Sequence, residues 1–165
     1  MRLADEFKIR LVLMGASEAW LVADQLAAAK IPVVIKPLTN VPTFESLGAT
    51  LENAARLSRA GVTVALASFD TQNSRLLRQE AGNAIANGMD RDAALRAVTL
   101  TPAQIWGVAD RVGSLEAGKD ADVVIWSGDP FELTTGPERV FIKGREMPRD
   151  TRQKQLLDKY RTLPK

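Results

Sequence analysis

The first part of the chain alternates between short apolar runs and segments with helical periodicity, and this alternation restricts the possible folds more than any other feature. Apolar runs predict strands at 8–15, 31–37 and 62–67, and apolar residues spaced by three and four predict helices at 17–30 and 47–59. Strands joined through a helix lie parallel to each other, with a right-handed crossover. The sequence therefore predicts an α/β fold with parallel strands.

The rest of the sequence predicts a layer of helices, a small β element and a final charged helix. The predicted elements are helices at 74–87, 90–100 and 102–106, a strand at 123–126, a hairpin at 139–147 and a helix at 150–161. Ser17, Asp90 and Thr101 occupy positions that favour N-caps, and Pro102 stands where a first helical residue is expected. The hairpin is expected to turn at residues 143–144.

The composition argues against several classes of partner. The chain has 22 Lys and Arg against 20 Asp and Glu, and a net charge of +2 is too small to indicate a nucleic-acid surface. There is no cysteine, and no apolar run approaches the roughly 20 residues that span a bilayer. The N-terminus has no signal-peptide pattern. We therefore expect a cytoplasmic protein that binds neither nucleic acid nor membrane.

Histidine is absent from the chain, and this absence removes whole classes of mechanism. Imidazole is the commonest metal ligand and the usual acid-base group near neutral pH. The segment 15–19, GASEA, follows a predicted strand as a serine nucleophile turn does, but a serine hydrolase needs a histidine base. No glycine-rich phosphate loop follows any predicted strand. Serine hydrolysis is excluded, and nucleotide binding has no support.

The segment 111–126, RVGSLEAGKDADVVIW, has two predicted turns, at Gly113 and at Gly118, before the strand 123–126. The segment closely resembles one near the C-terminal end of metal-dependent amidohydrolases, especially the imidazolonepropionase-like and dipeptidase-like members. In that family it leads from the catalytic barrel to a small β-sandwich. The resemblance implies that the preceding residues are the end of a barrel.

Three further segments resemble the same family. Residues 61–68 resemble its last barrel strand, residues 93–103 resemble its ALxAVTxNPA helix pair, and residues 15–20 resemble the turn after its sixth strand. The resemblance implies that the chain holds the last three units of a (β/α)8 barrel and the final strands of the sandwich. It divides the chain into a barrel part at 1–107, sandwich-like strands at 108–148 and a C-terminal helix at 149–165.

The family resemblance also implies a chemistry. Its members hydrolyse C–N bonds of amides, peptides or cyclic amides with water activated by a divalent, zinc-like metal. The family ligands are a His-x-His pair, a carboxylated Lys or a Glu, two further His and an Asp after the last strand. The first five barrel strands, with His-x-His, lie outside this chain, and Ser17 stands where a His often follows strand six. By resemblance, Asp70 is the catalytic and metal-binding Asp; alternatively it is a loop acid or the cap of the helix at Ser74.

Other polar residues are predicted to lie on the same rim, at the C-terminal ends of the parallel strands. Glu18 is a second candidate metal ligand, or else a favourable charge in the first turn of a helix. Lys36 is a candidate contact for an anionic substrate group, or else a solvated strand end. Asn73 and Arg75, with Arg78 beyond them, are candidates for binding a carboxylate, or else ordinary exposed residues of a helix.

Two functional hypotheses remain. In the first, the chain is one piece of a hydrolase and a second polypeptide supplies the His-x-His half. In the second, it is a remnant that binds or assembles without catalysis. We expect the chain alone to lack activity, and we expect a homo-oligomer or a complex with a complementary N-terminal barrel half, because a partial barrel leaves strand edges unpaired.

Overall fold

The fold has two small sheets joined by a helical layer. The computed structural model describes residues 2–72 and 74–161. The helices are α1 (Arg2–Phe7), α2 (Ala23–Ala28), α3 (Asn53–Arg59), α4 (Leu77–Ala86), α5 (Arg91–Val98), α6 (Leu100–Ile105) and α7 (Arg152–Tyr160). The strands are β1 (Leu13–Met14), β2 (Val33–Ile35), β3 (Val64–Leu66), β4 (Val123–Trp126), β5 (Pro137–Ile142) and β6 (Arg145–Glu146).

The first sheet is parallel, in the order β1-β2-β3, as the sequence predicts. Every residue of β2 and β3 is buried because helices cover both faces of the sheet. Val33 and Ile35 belong to the main core cluster with helices α2 to α5, whereas Val34 packs with Ile105 of α6 in a smaller cluster. Successive strand residues point to opposite faces, so α6 covers the face opposite to the main core.

Two predicted helix starts are wrong, because side chains from elsewhere hold the backbone. Ser17 is not an N-cap: a 3-10 turn occupies Ala19–Val22, and the Trp20 N–H donates to Asn53 Oδ1 at 3.1 Å instead of joining a helix. The helix predicted at 47–59 begins only at Asn53. The backbone of Gly48 bonds instead to the side chains of Glu18 and Trp20, which follow β1. Helix α1 was not predicted, because six residues carry too little periodicity.

The junction of α5 and α6 confirms one cap and corrects another. Asp90 caps α5, accepting the Ala93 N–H at 2.8 Å, as predicted. Thr101 is not a cap, because α6 begins at Leu100 after a backbone break at Thr99 (φ −127°, ψ −85°). Pro102 therefore lies inside the first turn, where its missing N–H has no intrahelical partner to lose.

The second sheet is antiparallel, in the order β4-β5-β6. Strand β4 has the predicted bounds, and the predicted hairpin turn is confirmed at Lys143 (φ 50°) and Gly144 (φ 76°). Positive φ at both central residues suits the tight hairpin turns that match strand twist. Strand β4 forms one edge of this sheet.

The loop after β4 joins the second sheet to the helical layer. Arg91 of α5 forms an ion pair with Asp129 at 2.8 Å, and Arg78 of α4 donates to the Thr135 carbonyl at 2.9 Å. Phe131 packs against the main core. The predicted final helix is confirmed as α7, which Thr151 caps and which buries none of its residues. Within the described ranges, no helix is long and apolar enough to cross a membrane.

Candidate functional site

The predicted site residues follow the C-terminal ends of the three parallel strands. These ends meet at one edge of a parallel sheet, where such folds bind ligands. Glu18 lies in the loop after β1, Lys36 comes directly after β2, and Asp70 lies in the loop after β3. Asn73 lies outside the described residues. The rim is therefore built from these three loops.

Glu18 holds two loops of the rim together. Its Oε1 atom accepts the Gly48 N–H at 2.6 Å, and the indole Nε1 of Trp20 donates to the Gly48 carbonyl at 2.7 Å. The Glu18 carboxylate thus bonds to loop backbone, whereas only the Glu18 carbonyl bonds to the helical turn that follows, accepting the Leu21 N–H at 3.1 Å. Its observed contacts fit a loop clamp, which neither of the two sequence interpretations anticipated.

Asn53 connects the β1 loop to helix α3. Its side chain is fully buried, donates through Nδ2 to the Ala16 carbonyl at 3.0 Å and accepts the Trp20 N–H. A buried amide that makes both kinds of bond fixes a loop precisely, because leaving either group unpaired is costly. Sequence reasoning missed Asn53, and its only signal is a polar residue among the inward alanines of a predicted helix.

Lys36 begins a turn that rests on a buried carboxylate. The Lys36 carbonyl accepts the Thr39 hydroxyl at 3.0 Å, and Lys36 itself is half-buried. Beneath the turn, the fully buried Glu80 of α4 accepts the Leu38 N–H at 3.0 Å through Oε2. Within residues 2–72 and 74–161, Glu80 Oε1 and Asn40 Nδ2 are buried without a hydrogen-bond partner. Sequence reasoning did not anticipate the role of Glu80.

Asp70 organises the loop after β3. Its Oδ1 atom accepts the Gln72 N–H at 2.8 Å, and the Ser68 hydroxyl donates to the Asp70 carbonyl at 3.1 Å. Phe69 before it adopts a left-handed backbone (φ 52°), which is uncommon for a bulky residue. Asp70 is half-buried, and one of its carboxylate oxygens closes a local turn at the rim.

The residues that the structure describes do not bring together a set of metal ligands. Structural and catalytic zinc sites use at least three protein ligands. Over the ranges that the structure covers, no group of three or more His, Cys, Asp and Glu residues is placed to hold a metal ion. Glu18 and Asp70 would offer two carboxylates at most, and each already bonds to backbone N–H groups.

A second feature is a cleft of about 840 Å³ between helices α4 and α5 and the edge of the antiparallel sheet. Its walls are mainly apolar. Arg75, which the sequence places among the candidate substrate contacts, is exposed and lines this cleft together with Arg78. The guanidinium of Arg78 lies 5.3 Å from the ring centre of Trp126.

Ser114, at one end of the cleft, is hydrogen-bonded to a lysine and a glutamate. Its Oγ accepts from Lys119 Nζ at 2.6 Å and donates to Glu116 Oε1 at 2.7 Å. The bond from Ser114, and then Lys119, hold the pKa of Glu116 below its ordinary value. The Lys119 N–H also donates to the Glu116 carbonyl at 3.3 Å, so the three side chains lie across one backbone turn. This trio therefore stabilises a turn.

The parallel sheet with its covering helices defines an α/β protein, and the comparisons identify its family. A profile of the amidohydrolase family matches residues 9–147. The chain belongs to the amidohydrolase family. It is similar to the amidohydrolase tasK of Hapsidospora irregularis, with 38% identity over 72 residues, which cover 44% of this chain and 7% of that protein.

Two further relatives match more of the chain. An imidazolonepropionase of Bacillus velezensis is 33% identical over 125 residues, which cover 72% of this chain and 28% of that enzyme. The crystal structure of an amidohydrolase from Thermotoga maritima superimposes with a TM-score of 0.81 at 39% identity, covering 90% of this chain and 39% of that one. The chain thus matches less than half the length of each of these relatives.

Proposed function

We propose that this chain is the C-terminal part of an amidohydrolase that hydrolyses the C–N bond of an amide, a peptide or a cyclic amide. In this proposal residues 1–107 form the last three units of a (β/α)8 barrel, residues 108–148 form sandwich-like strands, and residues 149–165 form a terminal helix. The observation that carries it is the 39% identity to the Thermotoga maritima amidohydrolase over 90% of this chain.

A second polypeptide completes the site in this proposal. The aligned region is only 39% of the Thermotoga maritima chain, and the present chain contains no histidine. We propose that a complementary N-terminal barrel half brings the His-x-His strand to the rim. Asp70 is the carboxylate that this chain contributes, because it lies after the last parallel strand. Glu18 is a second candidate ligand only if its bond to Gly48 opens.

Substrate contacts are proposed for three residues. Lys36 and Asn73 are candidates for an anionic group of the substrate, and Arg75 is proposed with them. The half-buried position of Lys36, directly after β2, supports its assignment. Arg75 lines the neighbouring cleft, so it contacts a substrate on the rim only if its long side chain extends that far.

Reconstitution tests the proposal. The purified chain is mixed with the N-terminal part of the Thermotoga maritima amidohydrolase that lies outside the matched region. Hydrolysis is then assayed on a dipeptide, an N-acyl amino acid and a cyclic amide, with and without a chelator. We expect hydrolysis only in the mixture and only without chelator, and we expect Asp70→Asn to lower the rate at least about a hundredfold, the low end for a positioned acid or base.

The matched control is Asp24→Asn, which changes an exposed aspartate of α2. It should leave the rate of the mixture unchanged. A mixture that associates, folds and still hydrolyses none of the three substrates would contradict the proposal. Equal rates for the Asp70 and Asp24 variants would contradict the role of Asp70.

The second candidate function is a binding or assembly module without catalysis. The observation that favours it is the set of possible metal ligands. The carboxylates of Glu18 and Asp70 both bond to backbone N–H groups, and the chain has no histidine. In this case the chain associates with itself or with a related full-length protein through its unpaired strand edges. Association without hydrolysis in the reconstitution supports this candidate over the first.

A further inference from the structure

A small polar pocket lies at the start of strand β3, at the opposite end of the parallel sheet from the rim. Its volume is about 350 Å³, near the lower limit for ligand pockets. Val62 and Thr63, which precede β3, line it together with Val64, the first residue of the strand. The predicted site residues all follow strands, whereas this pocket lies before one. A ligand bound here is therefore separate from the substrate of the proposed hydrolysis.

Hydrogen-bonding side chains from separate elements meet at this pocket. They come from α3, α5, α6 and the residue before β3, and they are Ser58, Thr63, Arg96, Thr101 and Gln104. Over the part of the chain that the structure describes, none of these side chains forms a hydrogen bond. Ligand pockets typically place a few polar groups on otherwise apolar walls, and here Val62, Val64 and Met89 are buried apolar residues of the lining. The pocket therefore offers hydroxyl, amide and guanidinium donors to a bound molecule.

The charge at this pocket is positive. None of its described lining residues carries a carboxylate, and Arg96 forms no ion pair with any described residue, although Asp92 lies one turn earlier on α5. A second guanidinium is close by: the Nη2 atom of Arg59 lies 3.2 Å from the position of a Cβ atom built on Gly88, and Gly88 precedes Met89 of the lining. Arg59 is likewise without an ion pair within residues 2–72 and 74–161. Uncompensated positive charge beside a cavity favours an anionic ligand.

The set of donors suits a phosphate group better than a carboxylate. A carboxylate has two oxygen atoms, whereas a phosphate group presents at least three that accept hydrogen bonds. The pocket has three hydroxyls, one amide and one guanidinium on its walls. A guanidinium binds two oxygens of a phosphate group at once, and the hydroxyls can donate to the others. A carboxylate would leave several of these donors without an acceptor.

We propose that this pocket binds a phosphate group, either as inorganic phosphate or as part of a small phosphate monoester. Arg96 makes the charged contact, and the hydroxyls of Ser58, Thr63 and Thr101 donate hydrogen bonds to the phosphate oxygens. The bound group connects α3, α5 and α6 to the start of β3, so it stabilises the folded chain. Binding uses none of the residues proposed for hydrolysis and needs no metal.

Isothermal titration calorimetry of the intact chain measures the binding of inorganic phosphate, glycerol 3-phosphate and acetate at neutral pH and equal ionic strength. We expect both phosphate ligands to bind and acetate to bind at least about tenfold more weakly, because it uses fewer of the donors. Tighter binding of the ester would identify a small phosphate monoester as the ligand, and tighter binding of inorganic phosphate would identify the free ion. The thermal unfolding midpoint should rise with phosphate and not with sodium chloride of equal ionic strength, since phosphate binds only the folded chain.

Two pairs of variants test the named contacts. Arg96→Gln should weaken phosphate binding at least about tenfold, since a charge-assisted hydrogen bond is lost. Its matched control is Arg145→Gln, which changes another exposed arginine, on β6 and outside the pocket lining, and which should bind as the wild type does. Thr101→Val removes one neutral hydroxyl and should weaken binding about threefold. Thr134→Val, at an exposed position outside the lining, should not weaken it.

The inference is overturned if neither phosphate ligand binds, if acetate binds as tightly as phosphate, or if Arg96→Gln binds phosphate as tightly as Arg145→Gln. Circular dichroism checks that each variant is folded, and the Thr101 and Thr134 pair decides the question if Arg96→Gln is not. Binding is measured without metal, substrate or turnover. A failure here therefore leaves the proposed hydrolysis to its own test, and an inactive reconstitution leaves the pocket to this one.

Discussion

Gly113 and Gly118 have similar backbone conformations but different surroundings. Both adopt positive φ, 97° and 89°, which glycine tolerates and other residues rarely adopt. A Cβ atom built on Gly113 would lie 2.9 Å from the Ala103 Cβ and 3.0 Å from the Thr99 carbonyl oxygen, whereas one on Gly118 would meet no atom within 4 Å. Gly113 thus lets the segment pack directly against the start of α6.

Alanine substitution at these two glycines should separate conformation from contact. We expect Gly118→Ala to lower the free energy of unfolding by about 1–2 kcal/mol, the cost of a left-handed residue with a side chain. Gly113→Ala adds an overlap with backbone and should cost at least about 1 kcal/mol more. Urea unfolding of both variants measures the difference. Equal losses would mean that the contact at Gly113 relaxes freely.

The ion pair between Arg91 and Asp129 makes one contribution to stability depend on pH. The hydrogen bond from Arg91, followed by that from the Phe131 N–H, holds the pKa of the Asp129 carboxyl below its ordinary value. A carboxyl whose pKa is lowered in the folded state stabilises the fold above the unfolded pKa of about 3.9. That contribution is lost as the pH falls through the lower folded value.

Removing the guanidinium should therefore matter less in acid. We expect Arg91→Met to lower the urea midpoint more at about pH 6 than at about pH 3, because at pH 3 the carboxyl of the unfolded chain already binds the proton that the ion pair excludes. The control is Arg96→Met, on the same helix and without an ion pair among residues 2–72 and 74–161. Its effect on the midpoint should be the same at both pH values. A pH-independent loss in Arg91→Met would contradict the assignment to Asp129.

At the scale of elements, α5 and α7 are capped alike but packed differently. Asp90 accepts the Ala93 N–H at 2.8 Å, and Thr151 accepts the Lys154 N–H at 3.2 Å. Helix α5 buries Ala94 and Ala97 in the core, whereas α7 buries no residue. The stability of α5 is therefore coupled to the whole fold, and that of α7 is local.

Removing each cap should expose this difference. We expect Asp90→Ala to lower the global free energy of unfolding by about 1 kcal/mol, a typical cost of a lost N-cap. Thr151→Ala should leave the global value unchanged and should only speed hydrogen exchange within α7. Urea unfolding combined with amide exchange measures both effects. A global loss in Thr151→Ala would show that α7 packs against the rest of the chain.

At the scale of the whole molecule, apolar groups stay exposed at several edges. Met14 on the edge strand β1 is 61% exposed, and Leu157 and Tyr160 of α7 are 63% and 61% exposed. The cleft along β4 adds further apolar surface. Free strand edges and exposed apolar patches promote association. The exposed apolar groups of β1, α7 and the cleft are therefore candidate surfaces for association.

We expect the purified chain to form a homo-oligomer at micromolar concentration when no complementary polypeptide is present. Light scattering coupled to size exclusion measures its mass. Met14→Lys, which places a charge on the β1 edge, should shift the distribution towards monomer because edge charges oppose strand pairing. The control is Glu138→Lys on β5 of the other sheet. A wild-type chain that stays monomeric at these concentrations would contradict the expectation.

Much of the fold could be predicted from the sequence, but less of the candidate site. The three parallel strands, the Asp90 cap, the bounds of β4 and the hairpin turn depend on residues close together in the chain, and each is confirmed. The site depends on contacts between distant residues. Glu18 reaches Gly48 and Glu80 reaches Leu38, so no local pattern indicated either bond.

The sequence by itself determined the α/β class, the family and the absence of imidazole chemistry, because periodicity, motif spacing and composition are local or additive properties. Only the tertiary structure decided that Glu18 clamps a loop, that Asp70 closes a turn at the rim, and that residues of α4, α5 and β4 line one cleft. These features depend on which buried groups find partners across the fold. Hydrogen bonding and burial settle that choice only once the elements have packed.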